Sequence, residues 1–517
     1  MALISYFDRG ARFGADRIAY TMDGRDWTYA EAQEVTYKVA HALIAMDLPL
    51  ETKCAVLANN DPKAWLCVLA FWRAGYAWVP LNPRSPTEDH VQLVNGFDVE
   101  VLFFHQAFVD AVQAIRATCP LVKRFVCIDG YAEGAETYEQ FCGEFLATDP
   151  GRYFPEDTLA AIMPTGGTTG APKGVMETHR NLGLSVANGV INAPYPEDAP
   201  IVNLAAAPMT HTAGFLSLPA TARGGRIVVI SKPDPKVLID TIADEGVTEL
   251  FLPPTVIYRL LDVPGIAEKF ASVRYFMYGA APMAVEKLRR ALEIFGRKMF
   301  QGYGQTEAPG SIAFLRPGDH YRDGQIADDY RLSSCGLPAI FNTIGILDDA
   351  GEPVPQGETG EICIRGDIVM RGYYKAPDKT AEAIIDGWLH TGDLGHIDVE
   401  GYLHITDRKK DVIISGGFNV YPSEVEQVIW SHEAVMDCAV IGVPDDQWGE
   451  AVKAVVELKP EASVSSEELI ALCKQQVGSV KAPKSVDFVA SLPRSAVGKV
   501  LKKEIRSAYW KDAGRAI

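Results

Sequence analysis

The chain has 517 residues, 48% of them hydrophobic, which is enough for roughly three domain-sized pieces with large cores. Its net charge of −18 at pH 7 argues against a nucleic-acid-binding surface and favours solubility. The nine cysteines stand singly, without a CxxC pair and mostly in apolar runs, which predicts buried, reduced thiols in a reducing compartment.

Neither a targeting segment nor a membrane segment is expected. The first nine residues lack a basic start and a long apolar core, so they do not resemble a signal peptide. Apolar runs stay shorter than the roughly 18 residues of a membrane span, which predicts no integral membrane segment. Together with the cysteines, these features predict a cytoplasmic protein.

The first part of the chain predicts alternating strands and helices. Residues 18–21 and 27–28 flank the turn dipeptide Asp23-Gly24, and Thr28 and Glu31 form a capping box before a helix that runs to about residue 46. Helices are expected at 62–74 and 283–295, and strands at 54–57, 77–80, 99–104, 125–128, 159–163, 201–206, 226–230, 248–252, 274–278 and 298–301. This alternation predicts parallel sheets covered on both faces, with ligands beyond the carboxyl ends of the strands.

From about residue 334 the pattern changes to short β runs with many glycines and prolines. The runs 343–347, 360–365 and 402–406 predict a small antiparallel β subdomain, about 334–409. The rest predicts an α+β module with a helix at 423–431, strands at 437–443, 452–458 and 485–489, a helix capped by Ser465 and Glu468, and a basic tail helix. The predicted fold is thus an α/β protein with a large N-terminal domain, 1–409, and a small, mobile C-terminal domain, 410–517.

Residues 163–175 form a loop rich in glycine and threonine after the predicted strand 159–163. Its glycines and threonines are Thr165, Gly166, Gly167, Thr168, Thr169 and Gly170. Such glycines let backbone N–H groups form an anion site, while the hydroxyls and Lys173 add donors and charge. A phosphate-binding loop is therefore predicted, with a plain flexible surface loop as the alternative. Pro172 and Gly174 flank the lysine, so this is not the P-loop of ordinary NTPases.

Seven more segments follow in a fixed order: 208–214, 278–282, 302–307, 391–393, 407–411, 415–417 and 493–499. With them the chain resembles the acyl-adenylate-forming superfamily of acyl-CoA synthetases, 4-coumarate–CoA-type ligases, firefly luciferase and peptide-synthetase adenylation domains. The resemblance extends over nearly the whole length. One departure is Gly166, where the family usually has Ser, so one hydroxyl contact to phosphate is missing.

The resemblance implies ATP, Mg²⁺ and CoA as reactants and gives each segment a role. It implies nucleotide contacts from Thr165, Gly166, Gly167, Thr168, Thr169, Gly170, Lys173, Gly279, Ala280, Ala281, Tyr303, Gly304, Asp393 and Arg408. It implies catalytic roles for Lys499, His211, Thr306 and Glu307, with Glu307 and Thr168 as Mg²⁺ ligands. An acyl pocket is implied at His211, Thr212 and Gly304, and a hinge and CoA contacts at Lys410, Ser415, Gly416 and Gly417.

The chemistry of acid activation explains these residue types. A carboxylate is a poor electrophile, and its attack on the α-phosphate of ATP gives an acyl-AMP and pyrophosphate. Positioning and charge stabilisation supply most of the catalysis in such a transfer. Asp393, expected on a loop, would accept hydrogen bonds from the ribose, and Arg408 would bridge ribose and phosphate oxygens. The nearby Lys502, Lys503 and Arg506 are expected to form a solvated face instead.

In the family the small domain rotates between the two half-reactions, which makes Lys410 the candidate hinge residue. In one orientation Lys499 would reach the ATP, where it would contact the carboxylate and the α-phosphate. In the other, a channel would open for the CoA thiol.

Two positions bear on the acid. Thr212 stands where peptide-synthetase domains place an Asp, so an α-amino acid is not expected. Gly304 stands where acetyl-CoA synthetases place a Trp, so the pocket can extend towards a medium-chain, long-chain, aromatic or polycyclic acid. A carrier-protein phosphopantetheine or oxygen as acceptor remains an alternative, as does an inactive nucleotide-binding regulatory protein. The oligomeric state stays open, with a homodimer among the options.

Overall fold

A computed structural model describes residues 1–165, 172–231, 234–445, 447–494 and 500–510, without the side chain of Ser311. The predicted mixed α/β fold with a separate C-terminal domain is confirmed. The first part of the chain contains α1 (Ile4–Ala11), β1 (Ile18–Met22), β2 (Arg25–Thr28), α2 (Tyr29–Ala45), β3 (Lys53–Leu57), α3 (Pro62–Arg73), β4 (Ala77–Pro80), α4 (Thr87–Gly96), β5 (Val99–Phe104), α5 (Val109–Thr118), β6 (Arg124–Cys127), β7 (Glu136–Thr137), α6 (Tyr138–Cys142) and β8 (Leu159–Thr165).

The second part of the large domain continues the alternation of strands and helices. It contains β9 (Lys173–Thr178), α7 (His179–Asn192), β10 (Val202–Ala205), α8 (Gly214–Thr221), β11 (Arg226–Val229), α9 (Pro235–Asp244), β12 (Glu249–Phe251), α10 (Pro254–Leu260), α11 (Ile266–Lys269), β13 (Tyr275–Gly279), α12 (Val285–Phe295), β14 (Met299–Gln305), β15 (Ala308–Leu315), β16 (Tyr321–Arg322), β17 (Gln325–Ile326), α13 (Asp329–Leu332) and β18 (Leu337–Pro338). A π turn at Met209–Ala213 precedes α8.

The rest of the chain holds the β subdomain and the C-terminal domain. The β subdomain contains β19 (Thr343–Leu347), β20 (Gly360–Arg365), β21 (Gly372–Tyr373), α14 (Pro377–Ala383), β22 (Ile384–Ile385), β23 (Trp388–Ile397) and β24 (Leu403–Arg408). After a 3₁₀ turn at Lys409–Asp411 come β25 (Ile413–Ser415), β26 (Phe418–Val420), α15 (Pro422–Trp430), β27 (Val435–Asp445), β28 (Gly449–Leu458), α16 (Ser466–Lys481), β29 (Ser485–Val489) and α17 (Lys502–Trp510).

Two large sheets organise the N-terminal domain. One has the order β18-β15-β14-β13-β12-β10-β11-β1-β2, and the other the order β21-β9-β8-β4-β3-β5-β6-β7. The strands in the interior of each sheet are parallel, as predicted, because a helix between two strands returns the chain to the edge where the first strand began. The strands β9 and β15 add antiparallel pairings that the sequence analysis missed. Each pairs with the strand that precedes it in the chain, and a predicted site segment lies where the two strands of the pair adjoin.

Local sequence signals account for the well-predicted elements. The Thr28–Glu31 capping box is present, with the Thr28 side chain accepting from the Glu31 N–H. The strand β5 has the predicted bounds, since apolar residues on both its faces lie between helices. The helix α3 is buried throughout its length, and its Trp65 and Trp72 pack edge-to-face at 5.5 Å in the core.

The β subdomain and the C-terminal domain have separate sheets. The subdomain sheet has the order β19-β20-β23-β22, with β24 paired to β23, and is antiparallel as predicted. The C-terminal sheet has the order β26-β25-β28-β27, with β29 parallel to β28. The 3₁₀ turn Lys409–Asp411 joins the two sheets.

The expectation of a solvated face on the tail helix is wrong for two of its three residues. The Lys502 ammonium lies 2.7 Å from a carboxylate oxygen of Glu426, which is buried. Arg506 pairs with Glu450 at 2.8 Å. Both cations face the domain because α17 packs on β27, and Lys503 is exposed as expected.

The nine cysteines are free and buried, as their apolar surroundings predict. Within the described residues, we find no helix both long enough and apolar enough to cross a membrane.

Candidate active site

The predicted phosphate loop lies between two paired strand ends. Thr165 ends β8 and Lys173 begins β9, and the two residues are partners in the antiparallel ladder. The Thr165 hydroxyl donates to the Lys173 carbonyl oxygen at 3.5 Å. The loop residues Gly166, Gly167, Thr168, Thr169 and Gly170 lie outside the described residues. The hairpin places Lys173 at the carboxyl end of β8, where a phosphate site is expected.

Tyr373, which the sequence analysis missed, connects Lys173 with Glu307. The Lys173 ammonium lies 4.7 Å from the centre of the Tyr373 ring, and the Tyr373 hydroxyl donates to a Glu307 carboxylate oxygen at 2.8 Å. Burial, reinforced by the Glu307 carboxylate, raises the pKa of Tyr373, so its hydroxyl stays protonated and donates. Only the pairing of β21 with β9 reveals this contact, because the two strands are about 200 residues apart.

Glu177, on β9, is a second residue without a sequence signal. It is fully buried, and both carboxylate oxygens lack a hydrogen-bond partner among the described residues. Burial, with a smaller contribution from the Glu307 charge, raises its pKa well above the usual value. An interior, neutral carboxylic acid therefore lies near Glu307.

The Glu307 carboxylate fits a magnesium ion carried by a nucleotide. No cluster of three or more His, Cys, Asp or Glu side chains that could hold a metal occurs among the described residues. Mg²⁺ in nucleotide sites needs no such cluster, because one or two carboxylates suffice beside waters and phosphates. Glu307 supplies one such oxygen donor, and Thr168, the other predicted ligand, lies outside the described residues.

The predicted adenine turn lies beside the 302–307 segment. Strands β13 and β14 are parallel, with Gly279 paired to Gly302. A Cβ at Gly279 would lie 2.6 Å from the Gly302 carbonyl oxygen, so only glycine allows this approach. Ala280 then has a positive φ of 62°, which turns the chain towards Ala281. The two segments therefore form one surface at the carboxyl edge of the sheet.

Asp393 lies within β23 and not on a loop, which corrects the sequence-based expectation. In the ladder it is the partner of Arg408, whose Nε lies 3.3 Å from Oδ1. The other oxygen, Oδ2, accepts from the Tyr303 hydroxyl at 2.7 Å. The strand β23 thus brings the carboxylate to β14, and three predicted nucleotide residues meet there.

The predicted acyl-gating histidine lies in a π turn before α8. The His211 Nδ1 lies 2.6 Å from the Thr212 hydroxyl. Burial lowers the pKa of His211, so its ring is neutral at pH 7. The π turn brings three successive N–H groups, of His211, Thr212 and Ala213, to the Pro208 carbonyl oxygen at 3.2 Å. Such π turns are rare and often lie at functional sites.

The residues between the two domains form a charged junction. The Lys409 ammonium lies 2.7 Å from Asp349 and 3.3 Å from Glu361, both in the β subdomain. Burial, and then the Arg408 charge, lowers the pKa of Lys410. The Asp407 carboxylate oxygen Oδ2, on β24 of the β subdomain, accepts from the Ser423 N–H of the C-terminal domain at 2.7 Å.

The predicted CoA segment is a β-hairpin of the C-terminal domain. Ser415 pairs with Phe418, and Gly416 and Gly417 have φ of 58° and 82°, as a two-residue turn of this kind requires. Lys499 lies outside the described residues. Before and after its segment, Arg494 and Val500 form an antiparallel bridge.

Comparisons with known proteins agree with this geometry. Residues 7–374 match the family described as AMP-binding enzyme, and residues 424–499 match the AMP-binding enzyme C-terminal domain. A medium/long-chain-fatty-acid–CoA ligase of Mycobacterium tuberculosis is 36% identical over 89% of this chain and 82% of its own length. A feruloyl-CoA synthase of an Amycolatopsis species is 34% identical over 97% and 98%. The ATP-bound structure of MatB from Rhodopseudomonas palustris aligns with a TM-score of 0.87 at 29% identity, over 98% of this chain and all of that one.

Proposed function

The chain belongs to the AMP-binding enzyme family, and from that premise we propose that it is an ATP-dependent acyl-CoA ligase for a medium-chain, long-chain, aromatic or polycyclic carboxylic acid. The observation that carries the proposal is the meeting of Asp393, Tyr303 and Arg408 beside the Gly279–Gly302 pair. A carboxylate, a guanidinium and a glycine-lined strand edge together suit the ribose, phosphate and base of one nucleotide.

The reaction has two steps. The carboxylate oxygen of the acid attacks the α-phosphorus of ATP, the bond to the β,γ-phosphates breaks, and acyl-AMP and pyrophosphate result. The CoA sulfur then attacks the acyl carbon, AMP leaves, and the thiol proton passes to solvent. Both steps depend on orientation and on stabilisation of developing negative charge.

Different residues are proposed to contact the ribose, the phosphates and the base of the nucleotide. Asp393 accepts hydrogen bonds from the ribose hydroxyls, and Arg408 spans ribose and phosphate oxygens with its fork of donors. Thr306 donates to the α-phosphate, and Lys173 lies beside the predicted phosphate loop. The turn Gly279, Ala280 and Ala281, with Tyr303 and Gly304, faces the base. Lys499 is proposed to contact the reacting carboxylate and the α-phosphate.

Glu307 would hold the Mg²⁺ that accompanies ATP, with Thr168 as a second proposed ligand. When bound, the ion neutralises phosphate charge. The Tyr373 hydroxyl orients the Glu307 carboxylate by donating to one of its oxygens, which leaves the second oxygen for the ion.

The acid and CoA are proposed to occupy opposite sides of this nucleotide site. His211, Thr212 and Gly304 line the acyl side, where Thr212 offers no carboxylate to an α-ammonium group. Ser415, Gly416 and Gly417 are proposed to contact CoA after rotation about Lys410. The relatives whose names include CoA support this acceptor over a carrier protein. Buried, free cysteines support a reducing, cytoplasmic setting.

Pyrophosphate release with a panel of acids tests the proposal. We expect release with at least one medium-chain, long-chain, aromatic or polycyclic acid, followed by CoA-dependent loss of acyl-AMP. Loss of acyl-AMP with carrier protein but not with CoA would assign the other acceptor. An enzyme that binds ATP without releasing pyrophosphate for any acid would be a regulatory nucleotide-binding protein.

A further inference from the structure

Helix α7 packs on β15, the antiparallel partner of β14. Phe300, Gly302 and Gly304 are every second residue of β14, so they lie on one face of this strand. Phe300 stacks on Phe314 at 5.5 Å, and Ala193, just after α7, packs in the same cluster. The carboxyl end of α7 therefore packs on this face of the sheet.

Other contacts fix the middle of α7. The Ser185 hydroxyl donates to the Pro309 carbonyl oxygen at 2.8 Å, at the start of β15. Since Ser185 contacts one end of the hairpin β14–β15 and Ala193 the other, the residues between them lie along the hairpin. Asn188 is three positions after Ser185, so it lies on the same side of the helix, one turn on.

The Asn188 carboxamide is buried without a partner. The residue is 0% exposed, and neither its oxygen nor its nitrogen makes a hydrogen bond to any described residue. Buried polar side chains in folded proteins are almost always bonded, so this group requires an explanation. On the same face of the sheet, β14 presents Gly302 and Gly304, which have no side chains.

Space exists on that face of β14. If a Cβ were added to Gly302, the Phe314 ring, at 3.6 Å, would be its only neighbour within 4 Å in the described part of the chain. On the neighbouring side, a Cβ added to Gly189 would lie 2.8 Å from Pro219 of α8. This helix continues directly from the turn that holds His211 and Thr212. Asn188 therefore lies on a helix packed between α8, which follows the proposed acyl gate, and β15, the strand paired with β14.

We propose that Asn188 is a specificity-determining residue that hydrogen-bonds an oxygen substituent on the acyl part of the acid. This inference rests on the proposed function, because it places the acyl group against Gly304. A carboxamide offers both an N–H donor and a C=O acceptor, so it matches a hydroxyl or a keto group. The preferred substrates are then hydroxy- or keto-substituted acids, and plain hydrocarbon acids of the same shape are poor substrates.

Matched pairs of acids test this inference. Each pair shares a carbon skeleton and differs in one hydroxyl or keto oxygen distant from the carboxylate. For the wild-type enzyme we expect kcat/KM for pyrophosphate release to be about 10- to 100-fold higher with the oxygenated member. The variant Asn188→Leu should lose this preference, mainly through a higher KM for the oxygenated acid and with little change for the hydrocarbon acid.

Control variants separate specificity from folding. In Asn192→Ala the change is one turn later on α7, where the side chain bonds a backbone carbonyl oxygen, and the preference should persist. Melting temperatures show whether each variant folds. If Asn188→Leu does not fold, the smaller change Asn188→Ser is tested in its place. Calorimetric binding of each acid gives a readout independent of turnover.

Each outcome has a distinct meaning. Pyrophosphate release without a preference for oxygenated acids, or an equal loss for both members in the Asn188 variants, would overturn this inference alone. Absence of pyrophosphate release with every acid, despite ATP binding, would overturn the proposed function itself.

Discussion

At the scale of single residues, Asp393 is the proposed contact to the nucleotide sugar. Its two oxygens already receive a hydroxyl from Tyr303 and face the Arg408 guanidinium, so its position is fixed before ATP binds. Hydrogen bonds to a charged acceptor contribute about 1.5–3 kcal/mol each. We therefore expect Asp393→Ala to weaken ATP binding by roughly 10- to 100-fold, measured by calorimetry.

Tyr303→Phe is the matched control for that prediction. It removes one orienting hydrogen bond and leaves the carboxylate, so the loss of ATP affinity should be no more than about tenfold. An Asp393→Ala variant that binds ATP as tightly as the wild type would show that the ribose lies elsewhere.

His320 makes the large domain sensitive to acid. It is fully buried between the Tyr278 hydroxyl, at 2.9 Å from Nε2, and the Arg316 carbonyl oxygen, at 2.9 Å from Nδ1. Burial lowers the pKa of His320 to about 4, although the Arg316 carbonyl and the Asp319 charge act in the opposite direction. The folded protein therefore holds this ring neutral, while the unfolded chain takes up a proton below about pH 6.5.

The sign of the pH effect follows from this difference. The stabilisation is complete above about pH 6.5 and is lost as the pH falls towards about 4, at up to about 1.4 kcal/mol per pH unit for one proton. We expect the melting temperature of the wild type to fall through this range and that of His320→Gln to fall less steeply. Parallel curves for the two proteins would exclude His320 as a source of the acid sensitivity.

At the scale of elements, local signals explain which parts of the fold were predictable. Apolar runs and capping residues are encoded within a few positions, so β5 and the start of α2 were predicted within one residue. The strand β9 was not predicted, because it contains the buried Glu177 and follows a glycine-rich segment. Its strand character comes from pairing with β8 and β21, which no short window of sequence contains.

The same reasoning applies to the site. Motifs located Glu307 and Asp393, but Tyr373, the partner of Glu307, is brought there by the pairing of β21 with β9. The strand position of Asp393 comes from the pairing of β23 with β24. The ion pair of Lys502 was missed because a cation in a basic stretch gives no sign of its partner Glu426, about 75 residues earlier.

The Lys502–Glu426 pair attaches α17 to the C-terminal domain. Glu426 is buried, and its carboxylate also accepts from the Val440 N–H at 2.7 Å. Removing one member of a buried pair leaves the other charge uncompensated, so Lys502→Ala should lower the free energy of unfolding by about 3 kcal/mol. Urea denaturation followed by tryptophan fluorescence measures this loss.

A double variant separates charge pairing from packing. In Lys502→Met with Glu426→Gln, both charges are absent while the side-chain volumes and the bond to Val440 are kept, so most of the stability should return. Failure of the double variant to recover would show that Lys502 stabilises α17 by another contact.

At the scale of the whole molecule, the site is built where separate sheets meet. The two large sheets contribute Lys173 and the Gly279–Gly302 edge, and the β subdomain contributes Asp393. Residues far apart in the chain therefore form the proposed nucleotide site, which explains why the motifs are short and widely spaced. The C-terminal domain must approach this site through the single connection at Lys409–Asp411.

That connection gives the last prediction. Proline at position 410 would fix φ near −65°, which restricts the rotation proposed between the half-reactions. We expect Lys410→Pro to keep acyl-AMP formation within a few-fold of the wild type and to slow thioester formation by at least tenfold. Single-turnover assays, with acid and ATP first and CoA added afterwards, measure the two steps separately.

Lys410→Ala is the control, because it removes the same side chain but leaves φ free, so thioester formation should remain near wild type. The ion pairs of Lys409 with Asp349 and Glu361 attach the start of the connection to the β subdomain. If proline slows both steps equally, the backbone at 410 supports the site as a whole and does not act as a hinge. If it slows neither, the rotation is absorbed at another residue of the connection.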